Sequence, residues 1–157
     1  IARLVKDGST LQMGIGAIPN AVLTRLGNKN DLGVHTEMFS DLLVPLIERG
    51  VVTNRYKSVH PGRTVTSFVS GSRKLFDFVN DNQTVEFHPC DRTNDTALIR
   101  KNDNAVAINS ALEVDLSGQV VADSIGSDHI ALIFNCPGRY QRIPMCGTFI
   151  RPTGNQQ

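Results

Sequence analysis

Short apolar runs rich in β-branched residues alternate, along the first two-thirds of the chain, with segments whose apolar positions recur at helical spacing. Residues 9–13 follow the Asp7-Gly8 turn and read as a strand, which the Gly14-Ile15-Gly16 turn breaks. Residues 19–26 read as a helix with Pro19 in its first turn and Gly27 at its end. A second short strand follows at 32–35. A second helix covers 41–49, ended by Gly50 and weakened by Pro45 inside it. Residues 64–69 have the β-branched enrichment of a third strand, and Ser72 caps a helix through Phe76 and Val79. Residues 85–88 form a fourth strand, and 93–100 a short helix opening on TNDTAL.

Strand and helix in alternation predict an α/β fold, an open and mostly parallel sheet with crossover helices. The rhythm then changes. Residues 105–116 and 119–124 are β-rich and join at Leu116-Ser117-Gly118, which reads as a β-hairpin. After Gly126 the pattern stops: 127–157 has scattered Pro and Gly and no sustained period. The division expected is therefore a domain over 1–126 and a divergent, irregular tail over 127–157. The chain opens on Ile1 within a polar amphipathic segment, which reads as an entry in mid-protein.

Composition changes this picture little. The 157 residues suffice for one domain, and a net charge of +1 supplies no field for nucleic acid or an anionic membrane. No apolar run approaches the roughly 20 residues a membrane-spanning helix needs. Three cysteines (Cys90, Cys136, Cys146) without a Cys-x-x-Cys spacing fit thiols in a reducing compartment better than a disulfide framework. The four histidines show no i, i+4 pair and no nearby cysteine pair, so no metal ligands are expected.

One acid stands out. Glu37, in VHTEMF, lies just beyond the second strand, as the Gly14–Gly16 turn lies just beyond the first. Carboxyl ends of parallel strands line one crevice, so both features face the same cleft. A carboxylate opposite a glycine turn with open N–H groups suits covalent acyl chemistry; the alternative is a surface acid at a strand end. A dinucleotide fingerprint fits poorly, because Pro19 occupies the place of its third glycine and removes a donor. His35 either tunes Glu37 or packs, His60 in VHPGR is a general base or a loop residue, and His88 ends a strand. Asn94 and Asp95 either cap the helix they open or, for Asn94, hydrogen-bond a substrate in the cleft. Glu113 and Asp115 share one face of the hairpin strand, as a solvated face would.

Assembled in order, the blocks LQMGIGAIPNAVL, DLGVHTEMFSD, KSVHPGRTVTSFVSGS, FDFVNDN, TND and AINSALEVDLSGQVVADSIG resemble the acetyl-CoA hydrolase/transferase family of class I CoA-transferases. The likeness runs over about residues 1–126 and is strongest to the branch acting on 4-hydroxybutyrate and on butyryl-CoA with acetate. The resemblance implies a CoA-transferase (NagB/RpiA-like) fold, here the start of a carboxyl-terminal domain. It implies that Glu37 is the nucleophile, that Gly14, Ile15 and Gly16 lie at the acyl end of the site, and that Asn94 contacts CoA.

The implied partners are an acyl-CoA and a small carboxylate, with coenzyme A as substrate and no cofactor, no metal, no nucleic acid and no membrane. A homo-oligomer is expected of the full-length form, in bacterial cytoplasm or in mitochondria. The implied activity is transfer of CoA through a glutamyl-CoA thioester. Alternatives are hydrolysis of acyl-CoA by the same glutamate, or a non-catalytic fragment that binds CoA or a partner. Two departures stand against the family pattern. Leu42 replaces a glycine after HTEMFSD, and Gly126 is followed by SDHIALIFNC rather than a Gly-Gly oxyanion segment. A truncated chain, inactive by itself, is therefore expected.

Overall fold

The computed structural model describes residues 1–111 and 113–121, with the backbones of 124–125 and 128–129. Its first seven strands are β1 (Thr10–Met13), β2 (Gly33–Val34), β3 (Met38–Ser40), β4 (Thr64–Thr66), β5 (Phe68–Ser70), β6 (Val85–Phe87) and β7 (Ala105–Ile108). Its α-helices are α1 (Ala17–Leu23), α2 (Val44–Glu48), α3 (Arg73–Val79), α4 (Cys90–Thr93) and α5 (Thr96–Ile99). β1 pairs in parallel with β2 on one side and β7 on the other. β4 pairs in parallel with β6, and β3 with β5. A parallel bridge between His35 and Val65 joins the β2-β1-β7 sheet to the β4-β6 pair. The mostly parallel α/β architecture expected from the sequence is the one observed.

Leu11 and Met13 on β1, Val34 on β2 and Ile108 on β7 are almost wholly buried, as strands covered on both faces require. Val22 and Leu23 of α1, Leu46 of α2 and Leu75 of α3 close over them, and Phe39 stacks at 6.2 Å on Phe78. Between β2 and β4 a side chain supplies part of the pairing. Asn54, at a left-handed φ of 57°, accepts from Val34 N–H at 2.8 Å and donates to Thr64 Oγ1 at 3.0 Å.

Several elements differ in extent from their sequence reading. The strand over 64–69 divides at Ser67, because Thr66 Oγ1 turns inward to Glu37 O (2.9 Å) and Phe68 O (3.0 Å). The helix over 41–49 opens as a 3-10 turn, Asp41–Leu43, and becomes α only from Val44, with Pro45 in its first turn. Proline lacks the N–H that a helix interior needs, so the first turn is the place it disturbs least. The helix over 93–100 is two short ones, α4 and α5, with Asp95 capping the second through Ala97 N–H at 2.7 Å.

The run over 105–116 also divides. Its first part is β7, and its second is the hairpin strand β8 (Glu113–Val114), paired antiparallel with β9 (Val120–Val121). Asp115 holds that turn by accepting from Ser117 and Gln119 N–H at 2.8 Å, which fixes its role as structural. Leu42 packs against the core at its glycine-like position with no positive φ, so its Cβ is absorbed. The irregular tail and its Cys136 and Cys146 lie outside the described residues, except that the backbone of Asp128–His129 pairs antiparallel with Ser124–Ile125.

Candidate active site

Glu37 occupies the break between β2 and β3, and two threonine hydroxyls hold that break. Thr36, fully buried, lies 3.1 Å from Met13 N, Met13 O and Met38 O. It therefore ties the residue before the glycine turn to the residues on either side of Glu37. Thr66 repeats the device one strand further on, against the Glu37 carbonyl, which also accepts from Ser67 N–H at 2.8 Å. With its backbone fixed at both flanks, Glu37 presents a half-buried carboxylate at the carboxyl edge of the sheet.

Asn94 reaches that carboxylate directly. Its Nδ2 donates to Glu37 Oε2 at 2.6 Å, while the exposed Cys90 Sγ lies 3.9 Å from Oε1. The contact is possible because α4 ends at Asn94 and not beyond it. Asn94 N–H closes the turn onto Cys90 O at 2.8 Å, which frees the side chain to project across the cleft. The preceding residue is fixed as well. Thr93 O accepts from His35 Nε2 at 2.8 Å, and Thr93 Oγ1 bonds Ser67 Oγ at 2.9 Å.

His35 is thus a packing residue with a positioning consequence. Burial pushes its imidazole down to about 4, with the Thr93 carbonyl opposing and the nearby positive groups of Lys57, His60 and His88 adding to the shift. It is neutral at physiological pH, donating from Nε2 and leaving Nδ1 without a partner among the described residues. Of the two readings of His35, tuning Glu37 or packing, the structure shows the second, with its imidazole hydrogen bond going to Thr93 O.

The glycine turn stands at the carboxyl end of the neighbouring β1. Gly14 has no room for a side chain as the neighbours stand: a Cβ there would sit 2.5 Å from Asn109 Oδ1, which would have to move, and 3.2 Å from Ile108 O. Gly16 has φ 111°, a conformation glycine alone adopts readily. The turn's donors are not all open, however. Gly14 N–H is spent on Ile108 O at 2.7 Å, whereas the exposed Ile15 and Gly16 have N–H groups without partners among the described residues. The structure brings Glu37 and Asn94 into contact and leaves Gly14–Gly16 linked to them through Met13 and Thr36.

A second cluster was not expected from the sequence. His60 Nδ1 lies 2.6 Å, and His88 Nε2 3.1 Å, from the same Glu86 oxygen, Oε2. Arg63 Nε stands 3.7 Å from the other oxygen. Partial burial pushes the Glu86 carboxyl up, but the hydrogen bonds and charges of His88 and His60 outweigh it and hold it below the usual range. These three donors are the described residues that could hold a metal ion. Spacing arguments missed them because His60 lies on a loop, far in sequence from the Glu86–His88 pair on and beside β6.

Comparison with known proteins adds the family. Residues 71–133 match the model of the acetyl-CoA hydrolase/transferase C-terminal domain. The chain is 52% identical over 130 residues to the 4-hydroxybutyrate coenzyme A transferase of Clostridium kluyveri, covering 83% of this chain and 30% of that one. It is 53% identical over 124 residues to the succinyl-CoA:acetate/propanoyl-CoA:succinate CoA transferase of Fasciola hepatica, covering 79% and 26%. The crystal structure of 4-hydroxybutyrate CoA-transferase from Porphyromonas gingivalis superposes with a TM-score of 0.74 at 50% identity, over 76% of this chain and 31% of that one. The chain spans about 30% of the length of the first of these relatives. Over the part it spans, the chain is similar to members of the acetyl-CoA hydrolase/transferase family, whose C-terminal-domain model matches residues 71–133.

Proposed function

We propose that this chain carries the covalent centre of a CoA-transferase, moving coenzyme A between an acyl-CoA and a small carboxylate through Glu37. The observation that supports it most directly is the Glu37 carboxylate held by Asn94 at 2.6 Å at the carboxyl edge of a parallel sheet. Relatives named as CoA-transferases, similar at 52% and 53% identity, supply the substrate class.

The chemistry follows from which oxygen is held. Asn94 occupies Oε2, so Oε1 is the freer nucleophile. Oε1 attacks the thioester carbonyl, the C–S bond breaks, and a mixed anhydride and CoA thiolate result. The thiolate then attacks the Glu37 carbonyl carbon, which places the negative charge on Oε2. Asn94 Nδ2–H already points at that atom, as an oxyanion donor must. Collapse expels the first carboxylate and leaves a glutamyl-CoA thioester. An incoming carboxylate attacks this thioester and expels CoA thiolate. The thiolate then takes the new acyl group and restores the Glu37 carboxylate. Charge is conserved at each step, and no electron acceptor is needed. In this reading the exposed N–H groups of Ile15 and Gly16 receive the acyl end of the substrate, supported by their having no partner among the described residues.

A chain of this span is not expected to complete the transfer cycle, so the test reads only the first half-reaction, in a single turnover. Incubation with acetyl-CoA or butyryl-CoA should leave CoA, less one water, on the peptide containing Glu37, removable by hydroxylamine and absent in Glu37→Gln. An adduct on another residue, or one that survives Glu37→Gln, would refute the assignment. Saturable CoA binding without any adduct would leave a CoA-binding module in its place.

A further inference from the structure

The His60–Glu86–His88 cluster takes no part in the chemistry above, and its geometry goes beyond ordinary surface pairing. Two imidazole nitrogens and one carboxylate oxygen, from two separate segments, lie within 4.8 Å of one another. Both nitrogens address the same oxygen, Oε2, at 2.6 and 3.1 Å, so all three donors face one point. Metal bonds of about 2.0–2.2 Å in a tetrahedral arrangement separate ligand atoms by roughly 3.4 Å. To reach that separation the His60 pair, at 2.6 Å, opens by roughly 0.8 Å and the His88 pair, at 3.1 Å, by roughly 0.3 Å, while the two nitrogens lie within 4.8 Å of each other.

The supporting groups are arranged accordingly. His60 is held at φ 51°, an uncommon conformation for a residue with a side chain. Its loop is pinned by Asn102 Oδ1, which accepts from Ser58 N–H at 2.9 Å, and by Gly62 N–H, which donates to Asn54 O at 2.9 Å. Arg63 stands beside the second carboxylate oxygen, Oε1, as an outer partner that fixes the ligating carboxylate. The side chains of His60, Glu86 and His88 are 21%, 32% and 22% exposed, which leaves an entry path and room for a coordinated water.

We infer that these three side chains form a binding site for a divalent transition-metal ion of the zinc class. The ligand types select among cations. Two imidazoles favour zinc, nickel or copper, whereas magnesium and calcium seek several oxygen ligands that the cluster lacks. Neighbouring Arg63 and the buried Lys57 add positive charge, which further disfavours ions held by charge alone. The ion would fasten the 57–63 loop to β6, directly before the segment that ends at Asn94, as a structural clamp rather than a reactant.

The test is titration of the chelator-treated full chain with zinc, followed by calorimetry and by thermal melting, and with cobalt(II), followed by visible absorption. Expected are saturation at one ion per chain, a rise in Tm, and cobalt d–d bands without a near-ultraviolet thiolate band. His60→Gln and His88→Gln should each weaken binding at least about tenfold. Glu86→Gln keeps the side-chain shape and should weaken it too. Circular dichroism of each variant checks that it is folded, and the wild-type cobalt spectrum is read independently of them. Absence of saturable binding, unchanged affinity in all folded variants, or a thiolate band placing the ion on cysteine would each overturn the assignment.

Discussion

Glu37 was legible in the sequence because its position after an apolar run, and the block HTEMFSD around it, mark a carboxylate at a strand end. Its contact with Asn94 was not, because no spacing rule joins residues on separate crossover units; only the folded sheet edge brings them together. Replacing Asn94 by alanine should slow formation of the Glu37 adduct by about 10²- to 10³-fold, the typical effect of losing one oxyanion donor. Rapid-quench mass spectrometry would measure this, and an unchanged rate would remove Asn94 from the mechanism. His35 carries a second prediction. Its folded-state value of about 4 lies below the ordinary 6.5, so the unfolded chain binds more protons between them. Stability should therefore fall as pH drops from 6.5 towards 4, by up to about 3 kcal/mol from this group. Urea unfolding across that range should show the slope in the wild type and a shallower one in His35→Gln.

At the scale of elements, hydrophobic period located nearly every strand and helix but misjudged where several end. The strand over 64–69 and the helix over 93–100 each divide at the site itself, where Thr66 and Asn94 send polar side chains to Glu37 and its backbone instead of continuing a regular element. Periodicity cannot register that, since the partner is remote in sequence. Asp41 shows the same limit. Its carboxylate accepts from Ser72 Oγ at 2.6 Å and from Ser72 N–H at 2.9 Å, so the residue expected to cap α3 with its own side chain is itself capped from another element. This grip explains Gly71, where a Cβ would overlap Asp41 Oδ2 and lie 2.8 Å from Leu75 Cδ2. Gly71→Ala should destabilise the wild type by about 1–3 kcal/mol, the usual range for overpacking. Its effect should shrink in an Asp41→Ala background, because the two changes share one contact. Additive losses in a double-mutant cycle would show that the contact does not set the cost.

Over the whole molecule, the seam between β2 and β4 rests on an isolated parallel bridge, His35 to Val65, and side chains complete it. Asn54 bridges the two strands, and Lys57 crosses Gly33 to donate from Nζ to Val34 O at 2.8 Å and Arg63 O at 2.5 Å. Gly33 is needed for that crossing, since a Cβ would meet Lys57 Cγ at 2.7 Å. A buried ammonium at the seam has a consequence for the entire fold. Burial pushes Lys57 down from 10.5 to about 7, with the Glu86 carboxylate opposing the shift. Between those values the unfolded chain holds the extra proton, so stability rises with pH across the window; below about 7 both states are protonated and the cost of burying the charge is fully present. Lys57→Met removes the titration but also leaves two carbonyls short of a donor, so its absolute stability is a poor guide. The slope isolates the effect. The difference in unfolding free energy, wild type minus Lys57→Met, should grow as pH rises from about 7 towards 10.5 and stay flat just below 7. A difference independent of pH would mean that Lys57 keeps its charge at the seam throughout, held by its two carbonyls and by Glu86 strongly enough to offset its desolvation.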